Sequence, residues 1–147
     1  VRFEEAIARD PSSLTYVAEP VDGIWIFGMD VCRYQQNDGR AYPETGGRFF
    51  PETEAWVKAR LQEARNQGKT VFGVMPHGML EHFQGQKLNP VSSNYVVDDW
   101  ARISSEFAEL GMHVVFTGHF HSNDIVSRAT GNPYMRGSVS TDSTSWT

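Results

Sequence analysis

Three of the five histidines stand just beyond apolar runs. His77 follows Val71-Phe72-Gly73-Val74-Met75-Pro76, and His119 and His121 follow Val114-Val115-Phe116-Thr117-Gly118. Imidazole nitrogens ligate transition metals. Two imidazoles one residue apart can face one pocket. They can hold a single ion, or one ion each of a pair about 3.5–4 Å apart. Gly118 lets the backbone turn sharply beside them. A bare His-x-His is common and weak as a signal. Directly after a buried strand it is stronger, because imidazoles there destabilise the fold unless they have partners. The three histidines together read as a metal site. His113 opens the last of these strands and reads as structural. His82 lies in the loop after His77, where a substrate-facing role competes with plain solvation.

Two buried strands must bring these histidines together. Residues 24–29, 70–75 and 113–117 are near-continuous apolar runs, the pattern of strands covered on both faces. Between the last two, Trp100, Ile103, Phe107 and Leu110 repeat at three, four and three, which predicts a helix over 97–110 that Gly111 stops. Pro51, Thr53 and Glu54 open an earlier helix, with Trp56, Val57, Leu61 and Ala64 at helical spacing and Gly68 at its close. Strands joined through one crossover helix lie parallel and adjacent or nearly so, with their C-terminal loops at one edge. That edge is where ligands bind in open α/β sheets. Further expectations are a short helix over 1–10 with Phe3 and Ile7 on one face, a strand over 14–18 in a hairpin with 24–29, and strands over 125–128 and 134–139. Residues 33–50 and 76–96 form long loops. The fold class is α/β and layered, in one domain.

Composition narrows the chemistry. The chain has 147 residues, 39% of them hydrophobic and 12% aromatic, enough for one domain with a core. Its net charge is -5, with Lys and Arg scattered. That argues against nucleic acid or an anionic membrane surface as partner. It leaves a phosphate substrate open, because metal ions can hold phosphate. The single cysteine, Cys32, excludes an internal disulfide and reads as a small core residue at a strand end. No apolar run approaches the roughly 18 residues of a membrane span.

At these residues the chain resembles the calcineurin-like metallophosphoesterases, over almost its whole length. Their C-terminal half carries a buried strand ending in a His, then a helix, then a strand ending in Gly-His-x-His. The matching segments are Val74-Met75-Pro76-His77-Gly78 and Val115-Phe116-Thr117-Gly118-His119-Phe120-His121. The strand ending Gly28-Met29-Asp30 is also similar. Glu81-His82-Phe83 and His121-Ser122-Asn123-Asp124-Ile125 are similar to bacterial cell-surface members, which favours an extracytoplasmic location. The resemblance implies a β-sandwich flanked by helices. It implies that His77 and His119 ligate one ion and His121 a second, the ions being Fe, Mn or Zn. A hydroxide bridging the ions attacks phosphorus in this family. His82 and Asn123 become candidates for contact with a phosphoester substrate, whose identity rests in loops 33–50, 78–96 and 122–124, although Asn123 and Asp124 read more readily as turn-forming residues.

The family's first-half motifs, Asp-x-His, Gly-Asp-x-x-Asp and Gly-Asn-His-Asp/Glu, do not occur here. They supply the remaining ligands, the bridging Asp and the proton-donating His, so no catalytic residue is assigned in residues 1–147. The chain reads as the C-terminal portion of one domain, whose missing N-terminal half is itself a partner. Alone it is expected to bind metal weakly and turn over little or nothing. Two rival readings stand beside this one. The first is a non-catalytic, metal-free binding module using Tyr34, Tyr42, Phe49 and Phe50. The second is a single-ion hydrolase using His77, His119 and His121 alone.

Overall fold

Alternation of apolar side chains along three parallel strands sets the architecture. The computed structural model describes residues 3–80, 94–119, 121, 124–127 and 139–142. A 3-10 turn at Phe3–Glu5 precedes β1 (Ala8–Arg9), β2 (Tyr16–Val21) and β3 (Ile24–Gly28). A single-turn helix α1 (Tyr34–Asn37) and the long helix α2 (Pro51–Asn66) follow, then β4 (Thr70–Met75). After α3 (Trp100–Glu109) come β5 (Val114–Thr117), β6 (Asp124–Ser127) and β7 (Val139–Asp142). The seven strands among the described residues form one mixed sheet in the order β1-β2-β3-β4-β5-β7-β6. β3, β4, β5 and β7 run parallel, and the outer pairs are antiparallel. The α/β class expected from the sequence is what the chain adopts.

Register decides which side chains face the helices. Trp25 lies opposite Val71, Phe27 opposite Gly73, and Gly73 opposite Val115. These residues are buried, and they cluster with Val57, Leu61 and Ala64 of α2 and with Ile103 and Phe107 of α3. Burying each large member contributes about 1.5–3 kcal/mol of apolar transfer. The other face carries the rows Ile26–Phe72–Val114 and Gly28–Val74–Phe116. Val74 keeps 46% and Phe116 43% of its surface exposed. The tilted ring pair Phe72–Phe116, with centroids 6.4 Å apart, lies on that side. One sheet face is thus closed by helices, and the other remains partly open and apolar among the described residues.

A charged lattice ties the two helices together. Arg102 donates to both Glu54 carboxylate oxygens at 2.6 and 2.9 Å, and Lys58 pairs with Glu54 and Glu106. The bond from Arg102, with Lys58 adding to it against the cost of burial, holds Glu54 at about 2, well below the usual 4.5. The depressed value means that the stabilisation is complete above the unfolded value and is lost as pH falls from about 4.5 towards 2. Arg102 is 46% exposed, and solvent screening reduces the contribution to about 1 kcal/mol or less. Glu54→Gln should therefore lower the urea midpoint at neutral pH and converge on the unmodified chain near pH 2. A difference that persists undiminished at acid pH would contradict this.

Several elements differ from the sequence expectation. Residues 1–10 were expected to be helical, yet the described part is a 3-10 turn and a strand. Ile7 N–H donates to Val17 O, and β1 pairs with β2, because the Pro11–Ser13 turn allows the segment to fold back. Ile7 is 53% exposed, so the predicted apolar helix face has nothing to bury against. The strand predicted over 14–18 lies at Tyr16–Val21. α3 starts at Trp100 rather than 97, because Val96 and Val97 bridge Gly78 and Gly47 instead. β7 falls at Val139–Asp142, later than the 134–139 predicted; residues 128–138 lie outside the described residues. Its polar sequence hid it, whereas main-chain ladders on both sides hold it between β5 and β6. Cys32 is only half-buried and stands beyond the end of β3, so it is no core residue.

Candidate metal centre

The C-terminal ends of β4 and β5 are level. Met75 pairs with Thr117, and each strand carries a histidine two residues further on, His77 and His119. Level ends on adjacent parallel strands place both residues at one edge. Their ring centroids are 4.8 Å apart and inclined by 45°. The Tyr95 ring lies 5.2 Å from His119. The two nearest sequence candidates are therefore brought together across the 42 positions that separate them.

The third is not joined to them. His121 is exposed, and among the described residues no three His, Cys, Asp or Glu side chains converge as a group able to hold an ion. His82 and Asn123 lie outside the described residues. The sharp turn expected at Gly118 is made elsewhere. His119 (φ 79°) and His121 (φ 52°) both occupy the left-handed region, while Gly118 does not. Such backbone costs a non-glycine residue about 1 kcal/mol. Histidine is among the residues that tolerate it better than most.

His77 has an unusual setting. Its side chain is buried, with 5% of the residue exposed. Nε2 lies 2.7 Å from the Thr45 carbonyl. A carbonyl only accepts, so Nε2 carries the hydrogen and Nδ1 keeps its lone pair. Nδ1 is buried and has no hydrogen-bond partner among the described residues. Burial pushes the His77 pKa below its ordinary value, and nearby His119 and Arg33 lower it further, against an upward pull from the Thr45 bond. The neutral ring is the form that ligates a metal.

The backbone that meets His77 is itself held. A Cβ added at Gly47 would stand 2.7 Å from His77 Cγ and 2.9 Å from its Cβ, so this strap touches the ring only because Gly47 has no side chain. Arg33 Nε donates to Gly46 O at 2.9 Å, and the Asp98 N–H donates to Gly47 O at 2.9 Å. Sequence reading missed Thr45, Gly46, Gly47 and Arg33. The one available signal was the Gly46-Gly47 pair within a long loop, which marks close backbone approach. Beside these groups opens a cleft of about 840 Å³, lined by Cys32, Arg33, Tyr34, Glu44, His77 and His119 among others.

The donor set fits a transition-metal ion in one respect. A buried imidazole nitrogen with a free lone pair, backed by a carbonyl on its other nitrogen, is the arrangement ligating histidines adopt. His77 and His119 supply two nitrogen donors, and Glu44 is already taken up by Arg33 and Arg40. The loop aromatics divide. Phe49 is buried and Phe50 half-buried, while Tyr34 and Tyr42 are 61% and 91% exposed. No helix among the described residues is long and apolar enough to cross a membrane. The chain matches no protein-family model, and no curated protein matches it.

Proposed function

We propose that this chain is the C-terminal portion of a calcineurin-like metallophosphoesterase that hydrolyses a phosphoester once the rest of the domain is present. The observation that carries the reading is the pair His77 and His119 at two level strand ends, with a bare, buried Nδ1 on His77. His77 and His119 would hold one ion, and His121 would hold the second together with groups from a preceding segment. Two divalent ions of Fe, Mn or Zn would supply the Lewis acidity that activates a water for attack at phosphorus and offsets charge on the phosphoryl oxygens. The residues of this chain hold and orient that centre, and the cleft beside Arg33 and Tyr34 admits a small-molecule substrate. The partly open face around Phe72, Val74 and Phe116 favours the sandwich reading, since a second sheet packed there would bury it.

The 147-residue chain alone is expected to show little or no hydrolysis of p-nitrophenyl phosphate and weak Zn²⁺ or Mn²⁺ binding. A longer protein that includes the expected upstream motifs should hold two ions per chain and lose hydrolysis on chelation. Chelator-sensitive turnover in the short chain would overturn the half-site reading. Chelator-resistant turnover in the long one would overturn the metal reading. The exposed Tyr34 and Tyr42 favour one other reading, a metal-free binding module. It requires zero ions in the longer protein and no effect of removing His119.

A further inference from the structure

The strap against His77 has a single side chain at its centre. Arg33 is 9% exposed, although it stands in a polar loop. Its Nε donates to Gly46 O at 2.9 Å, one of its terminal nitrogens to Glu44 at 2.9 Å, and the other to Asp98 at 2.6 Å. These three partners bracket the strap. Glu44 precedes Thr45, Gly46 follows it, and Asp98 closes on Gly47 through its own N–H. One guanidinium thus fixes the chain on both sides of the Thr45 carbonyl. Only arginine can do this, because its planar fork delivers donors in three fixed directions.

The geometry points to Arg33 as a positioning residue. It holds the Thr45 carbonyl where it captures His77 Nε2–H, and so keeps Nδ1 as the atom free to ligate. The role towards an ion rests on the function proposed above. The role towards the tautomer does not. Partners that orient a ligating histidine typically change metal affinity by about 10- to 100-fold when removed. Neither Arg33 nor the strap touches the expected ion directly in this scheme. Their effect passes through the ring.

The test is ¹⁵N NMR of the His77 ring in the metal-free 147-residue chain, at a pH where the imidazole is neutral. The unmodified chain should show the Nε2–H form. Arg33→Gln should give a mixture containing the Nδ1–H form, and its Zn²⁺ dissociation constant should rise about tenfold or more. Arg33→Lys keeps the charge against Glu44 and Asp98 but lacks the fork, so it should shift the tautomer too. It serves as the second variant if Arg33→Gln loses its cooperative melting transition. Retention of a pure Nε2–H ring in a folded variant would overturn the inference. A tautomer shift in a chain that binds no Zn²⁺ would support the positioning role while counting against the metal reading, so the two failures are distinguishable.

Discussion

On the function proposed above, His119→Ala in a protein that includes the upstream motifs is expected to remove one ion and lower kcat about 100- to 1,000-fold, the cost of losing one group that stabilises transition-state charge. The ring of His119 lies at the strand edge between His77 and Tyr95, and the residue is exposed. Its removal opens no core cavity, and the left-handed backbone at φ 79° limits the stability cost of alanine to about 1 kcal/mol. That contrast separates the metal reading from simple unfolding. Ions per chain, kcat with excess metal and the thermal midpoint should be measured together. Two ions retained with kcat within threefold of the unmodified protein would sink the assignment.

The opposite profile is expected for Phe107→Ala. Phe107 is 1% exposed at the centre of the core that α3 shares with the sheet. Truncation of a buried Phe costs about 3–5 kcal/mol in lost burial and cavity formation. Its edge-to-face partner is Phe49, at 5.4 Å and 77°. Phe49 stands two residues beyond Gly47, so this aromatic contact also anchors the strap that meets His77. A chain that still folds should therefore show a lower urea midpoint and some loss of the His77 ring order, with the slope of the transition unchanged. A midpoint shift worth less than about 1 kcal/mol would mean that the core closes around the gap far better than such sites normally do.

What the sequence showed and what it hid follow different physics. The parallel pair β4 and β5 was legible because both strands are apolar runs and the Trp100–Ile103–Phe107 spacing identifies the crossover helix. From that alone, the meeting of His77 and His119 could be anticipated. β7 was hidden because its place depends on main-chain pairing, which Ser140, Thr141 and Asp142 do not advertise. The first ten residues were misread because Phe3 and Ile7 at helical spacing said nothing about the strand waiting at Val17. The strap was invisible for a further reason. It is held by bonds from Arg33 to backbone atoms and carboxylates 11 to 65 positions away. No local pattern encodes contacts of that kind. The placement of His121 relative to the pair was likewise beyond reach, since the Gly-His-x-His spacing allows one shared pocket or two.

The left-handed backbone at His119 and His121 has a consequence for how this chain can change over generations. Glycine relieves that conformation at no steric cost. Selection for thermal endurance alone would therefore favour glycine at both positions and erase the imidazoles. Histidine at either place therefore holds its imidazole at a backbone cost of about 1 kcal/mol that glycine would remove.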